Sequence, residues 1–147
     1  MYTLYCAAGV CSMAVHVVMK ELGVEHDIHL LDLSKGEHKE EAYLKVNPRG
    51  QVASLKTPKG DIITQNAAMI DYLNAEHNGD LLGNKGLERA RAMEWLMFAN
   101  SDLHGAYSKV LFSIRSDADD AVIKKGCDNV QAQWDLIESH LADTGTE

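Results

Sequence analysis

Cysteine is scarce in this sequence: three in 147 residues, at Cys6, Cys11 and Cys127. That number and spacing exclude a disulfide framework, and no grouping of cysteine and histidine has zinc-site spacing, so reduced thiols and no bound metal are expected. No window approaches the roughly 18 apolar residues that a membrane-spanning helix requires. The N-terminus lacks a basic region followed by an apolar stretch and a cleavage site, so the expected location is the cytoplasm. Positive charge is also short: 14 Lys and Arg against 22 Asp and Glu leave a net charge of −8. Such a surface repels nucleic-acid backbones and anionic membranes, which are excluded as main partners. Internal repeats and low-complexity segments are absent. What is present is 46% hydrophobic, enough for the core of a soluble globular chain with one comfortable domain or two small ones.

The texture changes near residue 80. Before it, Tyr2 to Cys6 reads as a strand, Cys11 to Leu22 as a helix and Asp27 to Leu33 as a second strand, a βαβ unit. Ala14, Val17, Val18 and Leu22 recur at helical spacing, and Gly23 suits the left-handed stop. Glu37 to Val46 reads as a more polar helix, ended by "VNPRG", where Pro48 disfavours helix at Asn47. "QVASLKT" and "DIITQ" flank a turn from Pro58 to Asp61 and read as an antiparallel hairpin. Ala67 to His77 is a further helix, with Asn66 as its expected N-cap. The expected order is βαβ, α, ββα over residues 1–77, followed by a glycine- and asparagine-rich linker at 78–86. From 87 to 147 everything reads as helical: a long amphipathic pattern from Leu87 to about Phe112 and another from Ala118 to Leu141. Two such helices alone leave their apolar faces uncovered, which calls for further helices or a partner chain.

Cys11 stands where the first helix begins. Unpaired N–H groups and the positive end of the helix dipole favour thiolate over thiol there, which points to a reactive sulfur. Cys6 and Cys127 read as packing residues, and Cys6 with Cys11 does not form a C-x-x-C pair. His16 reads as a packing residue of the first helix.

The stretches "LYCAAGVCSMAVH", "VNPRGQV", "ITQNAAMIDYL" and "EWLMFANSDLH", in this order and spacing, resemble those of cytosolic glutathione transferases, most closely the bacterial beta class. The resemblance covers essentially all 147 residues and implies a thioredoxin-like N-terminal domain, a helical C-terminal domain that is incomplete relative to the family, and a homodimer. It implies glutathione as co-substrate and a small hydrophobic electrophile as acceptor. By matching position, Cys11 lies beside the glutathione sulfur, with Ser12 as a possible hydrogen-bond donor to it and His104 facing it from the second domain. Val52 offers backbone hydrogen bonds to the cysteinyl moiety, Gln51 and Lys35 hold the glycyl carboxylate, and Gln65 and Asn66 meet the γ-glutamyl end.

The implied activity is stabilisation of the glutathione thiolate for attack on electrophilic or disulfide substrates. The alternative is a non-catalytic transferase-like module for ligand binding or assembly. Three departures from the family pattern bear on this. Ala53 stands where the family has a proline after a cis bond, so the loop either keeps that geometry or relaxes to trans. Gln65 stands where an acidic residue is common, which removes a charge opposite the glutathione ammonium. The sequence also stops before the family's "TxxD" element and last helices.

Overall fold

The computed structural model describes residues 1–145; positions 146 and 147, the end of the expected helical region, lie outside the described residues. The chain forms two compact units, Met1–Ala92 and the part from Met93 onward. No described helix is long and apolar enough to cross a membrane.

In the first unit, β1 (Tyr2–Cys6), α1 (Ser12–Glu21) and β2 (His26–Leu30) build the expected βαβ unit, with β1 and β2 parallel. The second strand ends earlier than predicted. Leu31 still donates to the Cys6 carbonyl at 2.8 Å, but the Asp32 carboxylate then accepts from the N–H groups of Ser34 (2.9 Å) and Lys35 (3.3 Å), and this local turn draws the chain off the sheet. The single helix expected over 37–46 is also divided. Glu40 is extended (φ −72°, ψ 149°), separating a short 3₁₀ turn at Glu37–Lys39 from α2 (Glu41–Leu44).

The predicted hairpin forms as β3 (Ser54–Lys56) and β4 (Ile62–Thr64), antiparallel, giving a sheet of order β2-β1-β3-β4. Its connection closes with Thr57 N–H bonded to the Asp61 carbonyl at 2.9 Å. The last helix of this half is α3 (Asn66–Glu76). Leu4 and Leu55 on the central strands are fully buried together with Val15 and Met19 of α1 and Met69 and Leu73 of α3, an arrangement that apolar residues at helical spacing on two helices facing one sheet produce. Alternation along β1 turns Tyr5 to the other face, where its ring meets those of His29 (4.9 Å) and Tyr43 (5.8 Å). Beyond α3, buried Asn74 accepts from the Leu81 N–H at 3.0 Å, and Arg89 pairs with Asp71, so the segment read as a linker is fastened within this unit.

The helix predicted over Leu87 to Phe112 is interrupted. It forms α4 (Gly86–Met97), which runs across the boundary between the units, a π-helical turn over Phe98–Leu103, and α5 (His104–Arg115). The second long helix, α6, runs Asp120–Thr144. Within the second unit α5 and α6 approach closely: a Cβ at Gly126 would come within 2.8 Å of Val110 Cγ2. Trp134 Nε1 donates to the Tyr107 hydroxyl at 2.8 Å, and Trp95 lies 4.3 Å from the His140 ring. Ala106 is buried here, whereas no residue of α6 is, and Phe112 is 73% exposed. The apolar faces that the sequence left uncovered are uncovered in this unit. Cys127, expected to pack, is exposed on α6.

Candidate functional site

One end of the sheet brings most of the expected residues of the first unit together. Its last row pairs Tyr5 with Ser54 and Ser54 with Thr64. Past that row, β1 leads through Cys6 and Ala7 towards Cys11, Ala53 and Val52 lie immediately before β3, and β4 passes into Gln65 and α3.

Cys11 occupies the N-cap position of α1 in a right-handed conformation (φ −55°, ψ −19°) and is exposed. Cys6, by contrast, is buried, and burial pushes its thiol pKa up. Ser12 is buried at 1% exposure. Its Oγ accepts from the Ala7 N–H at 3.3 Å and donates to the Ala7 carbonyl at 3.2 Å, so the one hydroxyl hydrogen expected to reach a sulfur is directed at the β1–α1 loop.

The segment before β3 is fixed through its carbonyls. Gly50 C=O accepts from Lys39 Nζ at 2.9 Å, and Gln51 C=O accepts at 2.7 Å from both the Tyr43 hydroxyl and Asn47 Nδ2. The Val52–Ala53 peptide is cis, which answers the alternative left open by the missing proline. Val52 makes no backbone hydrogen bond among the described residues, leaving its N–H and C=O open. The Gln51 side chain is on an exposed residue.

At α3 the cap is displaced by one residue. Gln65 holds the N-cap position with φ 73° and ψ 121°, a left-handed φ that is uncommon away from glycine, and makes no side-chain cap bond. Asn66 is therefore the first helical residue, and the structure corrects its reading as a cap. Its Nδ2 donates to the Cys11 carbonyl at 2.8 Å, across 55 residues. The first helical bond runs from Met69 N–H to Gln65 C=O at 3.0 Å, so the N–H groups of Asn66, Ala67 and Ala68 point out of the helix unpaired, as helix starts leave them.

Lys35 is exposed and pairs with Asp32 at 3.1 Å. The Ser34 hydroxyl, then Lys35, holds the Asp32 carboxyl below the usual carboxylate range. A cleft of about 440 Å³ opens beside this turn, lined by Ala7, Ala8, Leu31, Asp32, Ser34 and Glu37. His104 belongs to the second unit, where it is the exposed first residue of α5 directly after the π turn. Among the described residues no cluster of His, Cys, Asp or Glu has the makings of a metal site. Sequence reasoning missed the supports: Tyr43, Asn47 and Lys39, and the partner of Asn66. Only Asn47 carried a local signal, as the turn residue of "VNPRG", where its Oδ1 accepts from the Arg49 N–H at 3.1 Å.

The family description "Glutathione S-transferase, N-terminal domain" matches residues 9–76, from the β1–α1 loop to the last residue of α3. A glutathione S-transferase of Arabidopsis thaliana is 31% identical over 147 residues, covering 92% of this chain and 67% of the relative. The chain belongs to the glutathione transferase family. A further glutathione S-transferase, from Xanthomonas campestris pv. campestris, is 28% identical over 94% of the chain and 69% of its own length. Among solved structures, a glutathione transferase from Phanerochaete chrysosporium in complex with oxidized glutathione superposes with a TM-score of 0.87 at 26% identity, over 96% of this chain and 68% of that one. The fold of this glutathione transferase family member is thus the thioredoxin-like sheet followed by helices that its sequence predicts. The chain spans between 54% and 69% of the length of its curated bacterial glutathione S-transferase relatives.

Proposed function

We propose that this chain binds glutathione along the end of the sheet that carries Val52 and presents its sulfur, as thiolate, to a small hydrophobic electrophile. Glutathione has an extended backbone, two carboxylates and an ammonium, and the groups at this edge match them. Val52 pairs through its open N–H and C=O with the cysteinyl backbone, as an added strand would. The unpaired N–H groups of Asn66, Ala67 and Ala68, at the positive end of α3, receive the γ-glutamyl carboxylate. The Gln65 amide oxygen accepts from the ammonium, while Gln51 and Lys35 meet the glycyl carboxylate, Lys35 leaving Asp32 to do so. Ser12 shapes the loop through Ala7 and sets the start of α1.

In conjugation, the sulfur lone pair forms the new carbon–sulfur bond and the leaving group departs with the bonding pair. With a disulfide, the Cys11 thiolate attacks one sulfur of oxidized glutathione, giving a mixed disulfide and one glutathione thiolate. A cytoplasmic homodimer of the beta type completes the reading.

The observation that carries it is the open Val52 backbone pair at the same sheet end as the exposed Cys11 and the free start of α3. The test is conjugation of glutathione to an aryl halide by the folded chain. A rate well above that of buffered glutathione supports the reading, and the uncatalysed rate with glutathione bound would reject transfer.

A further inference from the structure

We infer that Asn66 is a positioning residue for Cys11, holding the reactive cysteine in a fixed frame relative to the helix start that receives the ligand. The inference rests on the reading that Cys11 stands beside the glutathione sulfur. The Cys11 carbonyl accepts two hydrogen bonds, from Asn66 Nδ2 at 2.8 Å and from the Ala14 N–H at 3.2 Å. The next residue is fixed independently, because the Ser12 hydroxyl both donates to and accepts from the Ala7 peptide groups. With the peptide between Cys11 and Ser12 held at both ends, the freedom left to the thiol is rotation about its own side-chain bond.

The clamp is delivered by the backbone. Thr64 is the last residue of β4 and Asn66 the first of α3, and the left-handed φ of Gln65 makes the change of direction in one residue. Behind the clamp, α1 and α3 share the buried residues Val15, Met19, Met69 and Leu73, so a rigid packed pair carries donor and acceptor. The side-chain donor of Asn66 serves Cys11, while its backbone N–H stays with the free start of α3. One residue therefore sets the position of the thiol relative to the carboxylate subsite. Breaking the clamp is expected to slow chemistry at Cys11 more than it weakens glutathione binding, because the N–H groups that hold the carboxylate remain.

The test uses the full chain with Asn66→Ser, whose hydroxyl is too short to reach the Cys11 carbonyl, and Asn66→Leu, which keeps the side-chain shape without the donor and adds no charge beside the carboxylate subsite. Three quantities are read: exchange of the Ala14 amide, the rate of mixed-disulfide formation at Cys11 with oxidized glutathione, and the calorimetric affinity for glutathione. Both variants should exchange the Ala14 amide about fivefold faster, as loss of one hydrogen bond implies. Mixed-disulfide formation should fall about tenfold while affinity changes by less than about threefold. Unchanged Ala14 exchange, or an equal fall in rate and affinity, would overturn the clamp and leave Asn66 as a ligand contact. If the wild-type chain binds no glutathione, the site reading fails by itself. The Ala14 exchange and the rate of Cys11 alkylation by iodoacetamide then decide the clamp alone, a change in both supporting it and constancy overturning it.

Discussion

The Tyr43 hydroxyl donates to the Gln51 carbonyl at 2.7 Å and accepts from Ser54 Oγ at 2.9 Å, so that a buried phenol on α2 fixes the chain on both sides of Val52. Tyr43 is 3% exposed. Tyr43→Phe keeps the ring and removes both bonds, leaving the buried Ser54 hydroxyl without this partner. It should cost about 1–2 kcal/mol of stability and weaken glutathione binding several-fold. Denaturant unfolding and calorimetry check the two effects. Lost stability with unaltered glutathione affinity would detach Tyr43 from the site.

Gly50 supplies a second support. Its φ is +57°, and a Cβ there would lie 2.9 Å from the His38 carbonyl and about as close to the Lys39 side chain. Gly50→Ala should destabilise the chain by at least about 1 kcal/mol and loosen the Lys39 contact with the Gly50 carbonyl. Denaturant midpoints measure this. An alanine variant as stable as the parent would mean that the loop relaxes freely.

The three thiols should separate by accessibility. Cys11 and Cys127 are exposed and Cys6 is buried, so iodoacetamide should label the first two in the folded chain and Cys6 only on unfolding. Glutathione should slow labelling at Cys11 and leave Cys127 unaffected, as peptide mass analysis would read. Equal protection of both, or of neither, would place the ligand elsewhere.

His16 on α1 stands edge-on to His26 of β2, with ring centroids 5.2 Å apart. Partial burial, then His26, then Lys20, lowers the His16 pKa from its ordinary value. A histidine whose folded pKa is depressed binds its proton more readily in the unfolded chain. Its contribution is therefore constant above the unfolded value of about 6.5 and becomes a penalty as pH falls from there through the folded value. His16→Gln should lessen the loss of stability across that window, measured as urea midpoints at several pH values. An unchanged slope would show that the loss arises elsewhere.

Elements that rest on one short pattern were legible in the sequence. β1, α1 and the β3–β4 hairpin follow from apolar patterning around glycine and proline turns, and Cys11 from its place at a helix start. The face of α1 was misread: Ala14 and Val17 are exposed, and Val15 and Met19 are the apolar residues that α1 buries. The break at Glu40 was not legible, because no proline or glycine marks it. The π turn over Phe98–Leu103 was missed because one extra residue in a helical turn hardly alters the apolar rhythm. Long-range bonds were beyond local reading altogether. Nothing near Asn66 announces Cys11, and cap chemistry alone placed the asparagine one residue too early. Likewise the sequence position of Ser12 suggests a sulfur donor, whereas burial against Ala7 gives its hydroxyl a structural partner.

The most direct measurement is a glutathione titration of the folded chain followed by amide resonances. Saturable binding in the micromolar-to-low-millimolar range is expected, with the largest shifts at Val52, at Asn66 to Ala68 and around Cys11. A folded chain that shows no saturable shifts, or shifts confined to residues away from this end of the sheet, would contradict the assignment of the site.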